Sequence, residues 1–186
     1  LQLPRSACTL CGACIRACPT GAKQFVAEHY TPTDILAAVQ AETVFFDESG
    51  GGVTFSGGEC LTHAVFLEEA CRILQENGIH TAIDTCGAVP WSSIERVLPY
   101  ADLFLYDIKK MDPVLHKAYT GIDNTQILNN LKRLTHADAK LIIRVPLIPG
   151  YTDSQDDIRQ IGLFLRDELQ LKIERCELLP YNKLAA

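Results

Sequence analysis

The chain is 186 residues long, 47% hydrophobic and 22% charged, with a net charge of −6 when histidine is neutral. That length suits one domain with a small appendage, and that composition suits a globular protein with a substantial core. There is no run of Lys or Arg and no apolar stretch long enough for a bilayer, which excludes an electrostatic nucleic-acid footprint and a membrane-spanning helix.

Residues 1 to about 30 hold Cys8, Cys11, Cys14 and Cys18 and show no sustained helical or strand period. A stretch this small cannot fold on hydrophobic burial alone and is expected to need a metal centre. Residues 31–186 alternate strand and helix signals. Thr33 and Asp34 start a helix with Ile35, Ala38 and Val39 on one face, and Gly50-Gly51-Gly52 breaks the chain. Val53-Thr54-Phe55 reads as a short strand. Thr62 to Asn77 reads as a helix with Phe66, Ala70, Ile73 and Leu74 on one stripe and Gly78 as its stop. His80 to Ile83 is a strand, Trp91 to Leu98 a helix, and Leu103 to Tyr106 a strand. Helices are expected over Asp112 to Tyr119 and Thr125 to Thr135, then an apolar strand over Leu141 to Val145. A helix over Asp153 to Leu169 aligns Ile158, Ile161 and Leu165, and Cys176 to Leu179 is the last strand.

Five strands separated by helices imply parallel pairing through right-handed crossovers. The alternation alone fits either a doubly wound sheet or a barrel. The position of the polar residues favours the barrel. Ser56-Gly57-Gly58-Glu59 follows the first strand and Asp84-Thr85 ends the second. Asp107 and Lys109 end the third, Arg144 lies late in the fourth, and Tyr181 and Asn182 follow the fifth. In a parallel α/β sheet these positions share the C-terminal rim, where barrel enzymes place their chemistry. The rim mixes acids (Glu59, Asp84, Asp107) with bases (Lys109, Arg144), which suits a zwitterionic ligand better than a plain anion. Gly57-Gly58 would let backbone come close to a ligand, and no Gly-Lys-Ser/Thr follows to make a phosphate loop.

The N-terminal cysteines are spaced Cys-x2-Cys-x2-Cys-x3-Cys-Pro, from Cys8 to Pro19. Short gaps of this kind wrap an iron–sulfur cubane, whereas zinc modules more often use well-separated Cys-x2-Cys knuckles. In two-cluster ferredoxins the fourth cysteine of such a run ligates the other cluster. Cys8, Cys11 and Cys14 would then share one cluster and Cys18 would serve a second, whose matching run is expected upstream. Of the remaining cysteines, Cys71 and Cys176 read as buried thiols, and Cys60 and Cys86 fall on the rim. This cysteine usage fits a reducing cytoplasm.

Taken in order, Gly50-Gly51-Gly52-Val53-Thr54-Phe55-Ser56-Gly57-Gly58-Glu59, Asp84-Thr85-Cys86-Gly87, Asp107-Ile108-Lys109, Ile143-Arg144-Val145-Pro146-Leu147-Ile148-Pro149-Gly150 and Leu178-Leu179-Pro180-Tyr181 resemble the glycyl-radical-enzyme activating enzymes, a radical S-adenosylmethionine (SAM) family. The resemblance covers nearly the whole chain. It implies a partial (β/α)6 barrel, with about five of six units present here, and a ferredoxin-like segment at 1–30. It also implies a catalytic [4Fe–4S] cluster held by a Cys-x3-Cys-x2-Cys loop after the first strand, with one iron open to SAM. Reductive cleavage of SAM would give a 5′-deoxyadenosyl radical that takes hydrogen from a glycine of a partner glycyl radical enzyme. The auxiliary clusters would deliver electrons from flavodoxin or ferredoxin.

Carried over by position, Gly57, Gly58 and Glu59 would meet the amino end of SAM. Asp84, Asp107 and Lys109, with Ile108 between the last two, would hold its carboxylate and ribose region, with a monovalent cation between the acids. Lys109 and Arg144 would line the catalytic centre. Asn182 stands where some members have an adenine-contacting His, and Cys60 where many have Pro. The Cys-x3-Cys-x2-Cys loop and the strand before it are absent from the sequence, so the chain is expected to be a fragment, inactive alone, with an exposed sheet edge. Two other readings stay open: a radical SAM enzyme with a non-protein substrate, and an iron–sulfur electron-transfer module without SAM chemistry.

Overall fold

The structure, a computed structural model, describes residues 8–25 and 27–182. The chain divides into two compact units, Leu1–Thr31 and Pro32–Ala186. In the first, α1 (Ala13–Arg16) is a single helical turn following Gly12, which is buried against the Phe25 ring.

The second unit opens with α2 (Pro32–Gln40) and α3 (Thr43–Ser49). Five strands then alternate with helices: β1 (Gly52–Phe55), α4 (Ala64–Glu76), β2 (His80–Thr85), α5 (Trp91–Val97) and β3 (Leu103–Asp107). The series continues with α6 (Pro113–Thr120), α7 (Thr125–His136), β4 (Leu141–Leu147), α8 (Gln155–Asp167) and β5 (Arg175–Pro180). All strands are parallel, and their order in the sheet is β1-β2-β3-β4-β5. A doubly wound sheet would reverse direction at a switch point. Unbroken sequential order with right-handed crossovers places the helices on one face, which is the plan of a barrel wall.

Local chemistry explains the helix ends. Gly78 (φ 72°) ends α4, where its N–H donates to the Gln75 carbonyl at 3.0 Å and the Ile79 N–H donates to the Leu74 carbonyl at 3.0 Å. Asp112 caps α6 by accepting from the N–H groups of Val114 and Leu115 at 2.8 and 2.9 Å. Ser154 caps α8 by accepting from the Asp157 N–H at 3.1 Å. A 3-10 turn, Cys60–His63, precedes α4, so the regular helix starts two residues later than the pattern suggests.

Registered strand neighbours divide the sheet into two faces. Ile83, Phe104, Leu141, Tyr106 and Ile143 share one face and pack with Leu67, Ile94, Ile127, Leu131 and Phe164 of the helices in a single core. Cys71 is fully buried in that core, as expected. Cys176 is not: it is exposed, because β5 is an outer strand of the described sheet and nearly every residue along it is accessible to solvent. No helix among the described residues is long and apolar enough to cross a membrane.

Gly87, just beyond β2, is seated on the core. Its φ is 69°, and a Cβ there would lie 1.6 Å from the Tyr106 hydroxyl. That hydroxyl cannot swing away, since it donates to the Ile127 carbonyl at 2.7 Å from a fully buried ring. Gly87→Ala is therefore expected to cost about 2 kcal/mol in urea denaturation, from overpacking plus left-handed backbone strain. An unchanged midpoint would show that Tyr106 can yield.

Candidate functional site

The face of the sheet opposite the helices carries the charge. Asp107 of β3 is registered beside Arg144 of β4, and one edge of that guanidinium reaches two carboxylates. Arg144 Nε and Nη2 donate to Asp107 Oδ1 at 3.0 and 2.9 Å, and Nη2 also donates to Asp84 Oδ1. Ser56 follows Phe55, the last residue of β1, and donates from Oγ to Asp84 Oδ2 at 3.1 Å. Lys109 Nζ lies 3.8 Å from Asp107 Oδ2. The result is a continuous polar row, Ser56–Asp84–Arg144–Asp107–Lys109, across the C-terminal ends of four strands. Burial works against the charge of Arg144, but the hydrogen bonds and charges of Asp107 and Asp84 outweigh it, so the guanidinium holds its proton more tightly than usual.

The two cations differ in what they can still do. Arg144 is committed to two carboxylates, whereas Lys109 has a loose contact with one and is partly exposed. Lys109 is thus the group best able to meet an incoming anion.

Gly57 and Gly58 are exposed above this row. Gly57 has φ 131°, a conformation nearly confined to glycine. Gly58 has no such φ, and apart from its chain neighbours no atom of the described residues lies within 4 Å of where its Cβ would be. Neither its backbone shape nor packing among the described residues requires a glycine at 58, and its backbone is open to close approach.

Glu59 points elsewhere. Its carboxylate turns toward the end of β2, where the Thr85 hydroxyl lies 2.8 and 2.9 Å from its two oxygens and the Cys86 N–H donates at 3.1 Å. Ile108 is 1% exposed and belongs to the core, so only its backbone could meet a ligand. Asn182 is exposed, just beyond β5. Ser56 and Thr85 join the site without having been singled out as ligands. The signal for Ser56 is strand parity, since it is one step past Phe55, whose partner Ile83 immediately precedes Asp84.

Cys60 is a half-buried thiol that donates to the carbonyls of Phe55 and Asp84 at 3.5 and 3.4 Å. Burial first, then the charges of Glu59 and Asp84, pushes it up to about 12, so it stays protonated and pins the two strand ends together.

The four N-terminal cysteines are free thiols, with Cys8, Cys11 and Cys14 exposed and Cys18 half-buried. Among the described residues no three His, Cys, Asp or Glu side chains converge as a metal site. The donor set itself nevertheless suits a thiolate-ligated cluster. The Thr20 hydroxyl and then the Lys23 N–H lower Cys18 to about 7, and the Ala13 N–H lowers Cys11. Donors aimed at sulfur in this way stabilise the thiolate form that iron requires.

Comparison with known proteins supplies a family. The model of the radical SAM superfamily matches residues 7–161. The isethionate sulfite-lyase activating enzyme of Oleidesulfovibrio alaskensis is 37% identical over 187 aligned residues, covering 99% of this chain and 59% of that protein. The choline trimethylamine-lyase activating enzyme of the same organism is 39% identical, covering 95% of this chain and 68% of its own length. Among solved structures, a domain of pyruvate-formate lyase-activating enzyme from Bacteroides vulgatus superposes with a TM-score of 0.66 at 35% identity, over 72% of this chain and 83% of that one. The chain spans 58% to 60% of the length of three of the relatives it matches.

Proposed function

Since the chain belongs to the radical SAM superfamily, and within it to the glycyl-radical-enzyme activating enzymes, we propose that it forms the SAM-binding wall of an enzyme that installs a radical on a glycine of a partner protein. When bound, a [4Fe–4S] cluster and SAM together supply the 5′-deoxyadenosyl radical that takes the glycine hydrogen. This chain carries no Cys-x3-Cys-x2-Cys run, so in this reading the ligands of that cluster lie outside these residues.

The observation that supports the reading best is the polar row beside an open Gly57-Gly58 backbone. The methionyl end of SAM is a zwitterion. The Gly57-Gly58 carbonyls and Asp84 can accept from its ammonium group, and Lys109 can donate to its carboxylate. Arg144 holds Asp84 and Asp107 at fixed separation, so that neither drifts when the ligand's charges arrive. Asn182 lies beyond β5, where it would border the adenine. In the first unit, residues 1–30 act as half of a ferredoxin-like module in which Cys8, Cys11, Cys14 and Cys18 hold auxiliary clusters. Flavodoxin or ferredoxin is the reductant in this reading, and the cytoplasm is the compartment that keeps such thiols reduced.

The test uses the protein containing this chain, with all clusters loaded under anaerobic conditions. Reductant plus SAM is expected to release 5′-deoxyadenosine, and adding the partner enzyme is expected to give a glycyl radical signal by electron paramagnetic resonance. With every cluster present and no SAM cleavage, the chain would be an electron-transfer module. Cleavage that never yields a protein radical would point to a small-molecule substrate.

A further inference from the structure

Glu59 immediately follows the open glycines, yet its carboxylate is already occupied. It accepts from the Thr85 hydroxyl at 2.8 and 2.9 Å, the Cys86 N–H at 3.1 Å, the Cys86 thiol at 3.2 Å and the Leu61 N–H at 3.2 Å. An ionised carboxylate offers about four lone-pair sites, so four donor groups leave it little capacity for another. The Cys86 thiol can hold its end of the arrangement because burial first, and Glu59 itself, raise its pKa and keep the proton on sulfur.

The bonding continues away from the site. Thr85 is 2% exposed, and its hydroxyl accepts from the Gly87 N–H at 2.9 Å. The Gly87 carbonyl in turn accepts from Asn130 Nδ2 of α7 at 2.9 Å. The loop after β1 is thus tied through Glu59 and Thr85 to the loop after β2, and through that loop to a core helix. Gly57 and Gly58 need such an anchor. Among the described residues nothing packs where their side chains would be, and two glycines in sequence give up the most backbone freedom when fixed.

We propose that Glu59 and Thr85 are positioning residues, a clamp that holds the Gly57-Gly58 backbone in the shape that meets the zwitterionic end of SAM, while the Glu59 carboxylate does not touch the ligand. The inference rests on the SAM-binding reading above and assigns a different job to one residue of the same site.

The experiment uses the full-length, cluster-loaded protein and its Thr85→Val, Thr85→Ser, Glu59→Gln and Glu59→Gln/Thr85→Val variants. Two quantities are measured: equilibrium SAM binding, and amide hydrogen exchange without SAM. Thr85→Val keeps the side-chain shape but removes the hydroxyl, at a buried position that no ligand reaches. Its SAM dissociation constant is expected to rise about tenfold or more, since a hydrogen bond to a charged group is lost. Thr85→Ser should restore affinity to within about threefold, because it returns the donor. Glu59→Gln should lose a similar amount, and the double variant no more than either alone, as expected for partners in one interaction. Exchange over residues 56–61 should accelerate in Thr85→Val while β3 and β4 keep their protection. The proposal is overturned if Thr85→Val binds SAM like the parent while Glu59→Gln does not, if the two losses add, or if exchange over 56–61 is unaltered. Should the parent protein bind no SAM at all, the functional reading fails, and the exchange measurement still decides whether the clamp exists.

Discussion

Replacing Arg144 with alanine is expected to weaken SAM binding about a hundredfold, roughly 2.7 kcal/mol of binding free energy, and to destabilise the fold as well. The guanidinium is the bridge between β2 and β3 on the open face, with three hydrogen bonds to two carboxylates. All three side chains are about one-fifth exposed. Without Arg144, Asp84 and Asp107 face each other, with Ser56 on the first and the loosely held Lys109 near the second. Two carboxylates in that position repel each other or take up a cation, and Lys109 is drawn in to compensate and lost to the ligand. The stability cost is set at about 2 kcal/mol, below the range for a fully buried pair, because the row is part-exposed. Arg144→Lys keeps the charge as a single point that cannot bridge both acids, so it should lie between parent and alanine. Calorimetric titration with SAM and a thermal melt give the two numbers. An alanine variant with parental affinity would remove Arg144 from the site.

Asp157→Asn is expected to lower stability by about 3–5 kcal/mol, the cost of leaving one member of a buried ion pair without its partner. Lys110 is 7% exposed and Asp157 6% exposed. The Lys110 ammonium donates to Asp157 Oδ2 at 2.7 Å and to the Tyr151 carbonyl at 3.0 Å, and it lies 5.7 Å from the centre of the Tyr119 ring. For a chain of this size the melting temperature should fall on the order of 10 °C. Replacing both partners with apolar residues, Lys110→Met with Asp157→Leu, should recover much of the loss, since no charge is then stranded.

The pH dependence has a definite sign. Burial alone would raise the Asp157 carboxyl, but the hydrogen bonds from Lys110 and Ser154 outweigh it and hold the pKa below its usual value. A depressed folded pKa gives stability that is complete above the unfolded value of about 4 and disappears as pH falls through the lower folded value. The gap between parent and Asp157→Asn in urea midpoint should therefore be full at neutral pH and narrow below about pH 4. A gap that stays constant into acid would show that the carboxylate is not the source. The pair also matters to the site, because Lys110 fastens the loop that carries Lys109 onto α8.

The alternation of strand and helix was legible because each strand is a short apolar run bounded by turn residues, as in Leu141 to Val145. The order of the strands was not, since alternation is the same for wound and barrel sheets; only the clustering of acids and bases at strand ends distinguished them. The helix α3 escaped notice because Thr43-Val44-Phe45-Phe46 is β-branched and aromatic and leaves Val44 and Phe45 exposed. Cys176 was misread because an apolar pattern shows which way a side chain faces, not whether a strand lies at the outside of its sheet. Arg144, Asp84 and Asp107 could be recognised as rim residues from their positions, but the direction of Glu59 could not. That direction depends on the donors of Thr85 and Cys86, twenty-six and twenty-seven residues away. The Lys110–Asp157 pair spans forty-seven residues with no local signature.

The sequential strand order has a bearing on how the site comes into being. Every pairing in the sheet joins strands that are neighbours along the chain, so none must wait for a distant partner and each loop closure stays modest. The sheet can be laid down in the order of synthesis. The charged row cannot: Asp84 comes two strands and Asp107 one strand before the group that bridges them, and the row closes only when β4 delivers Arg144. Assembly of the binding face is therefore a late event, and a partly folded chain that lacks β4 has a sheet but no site.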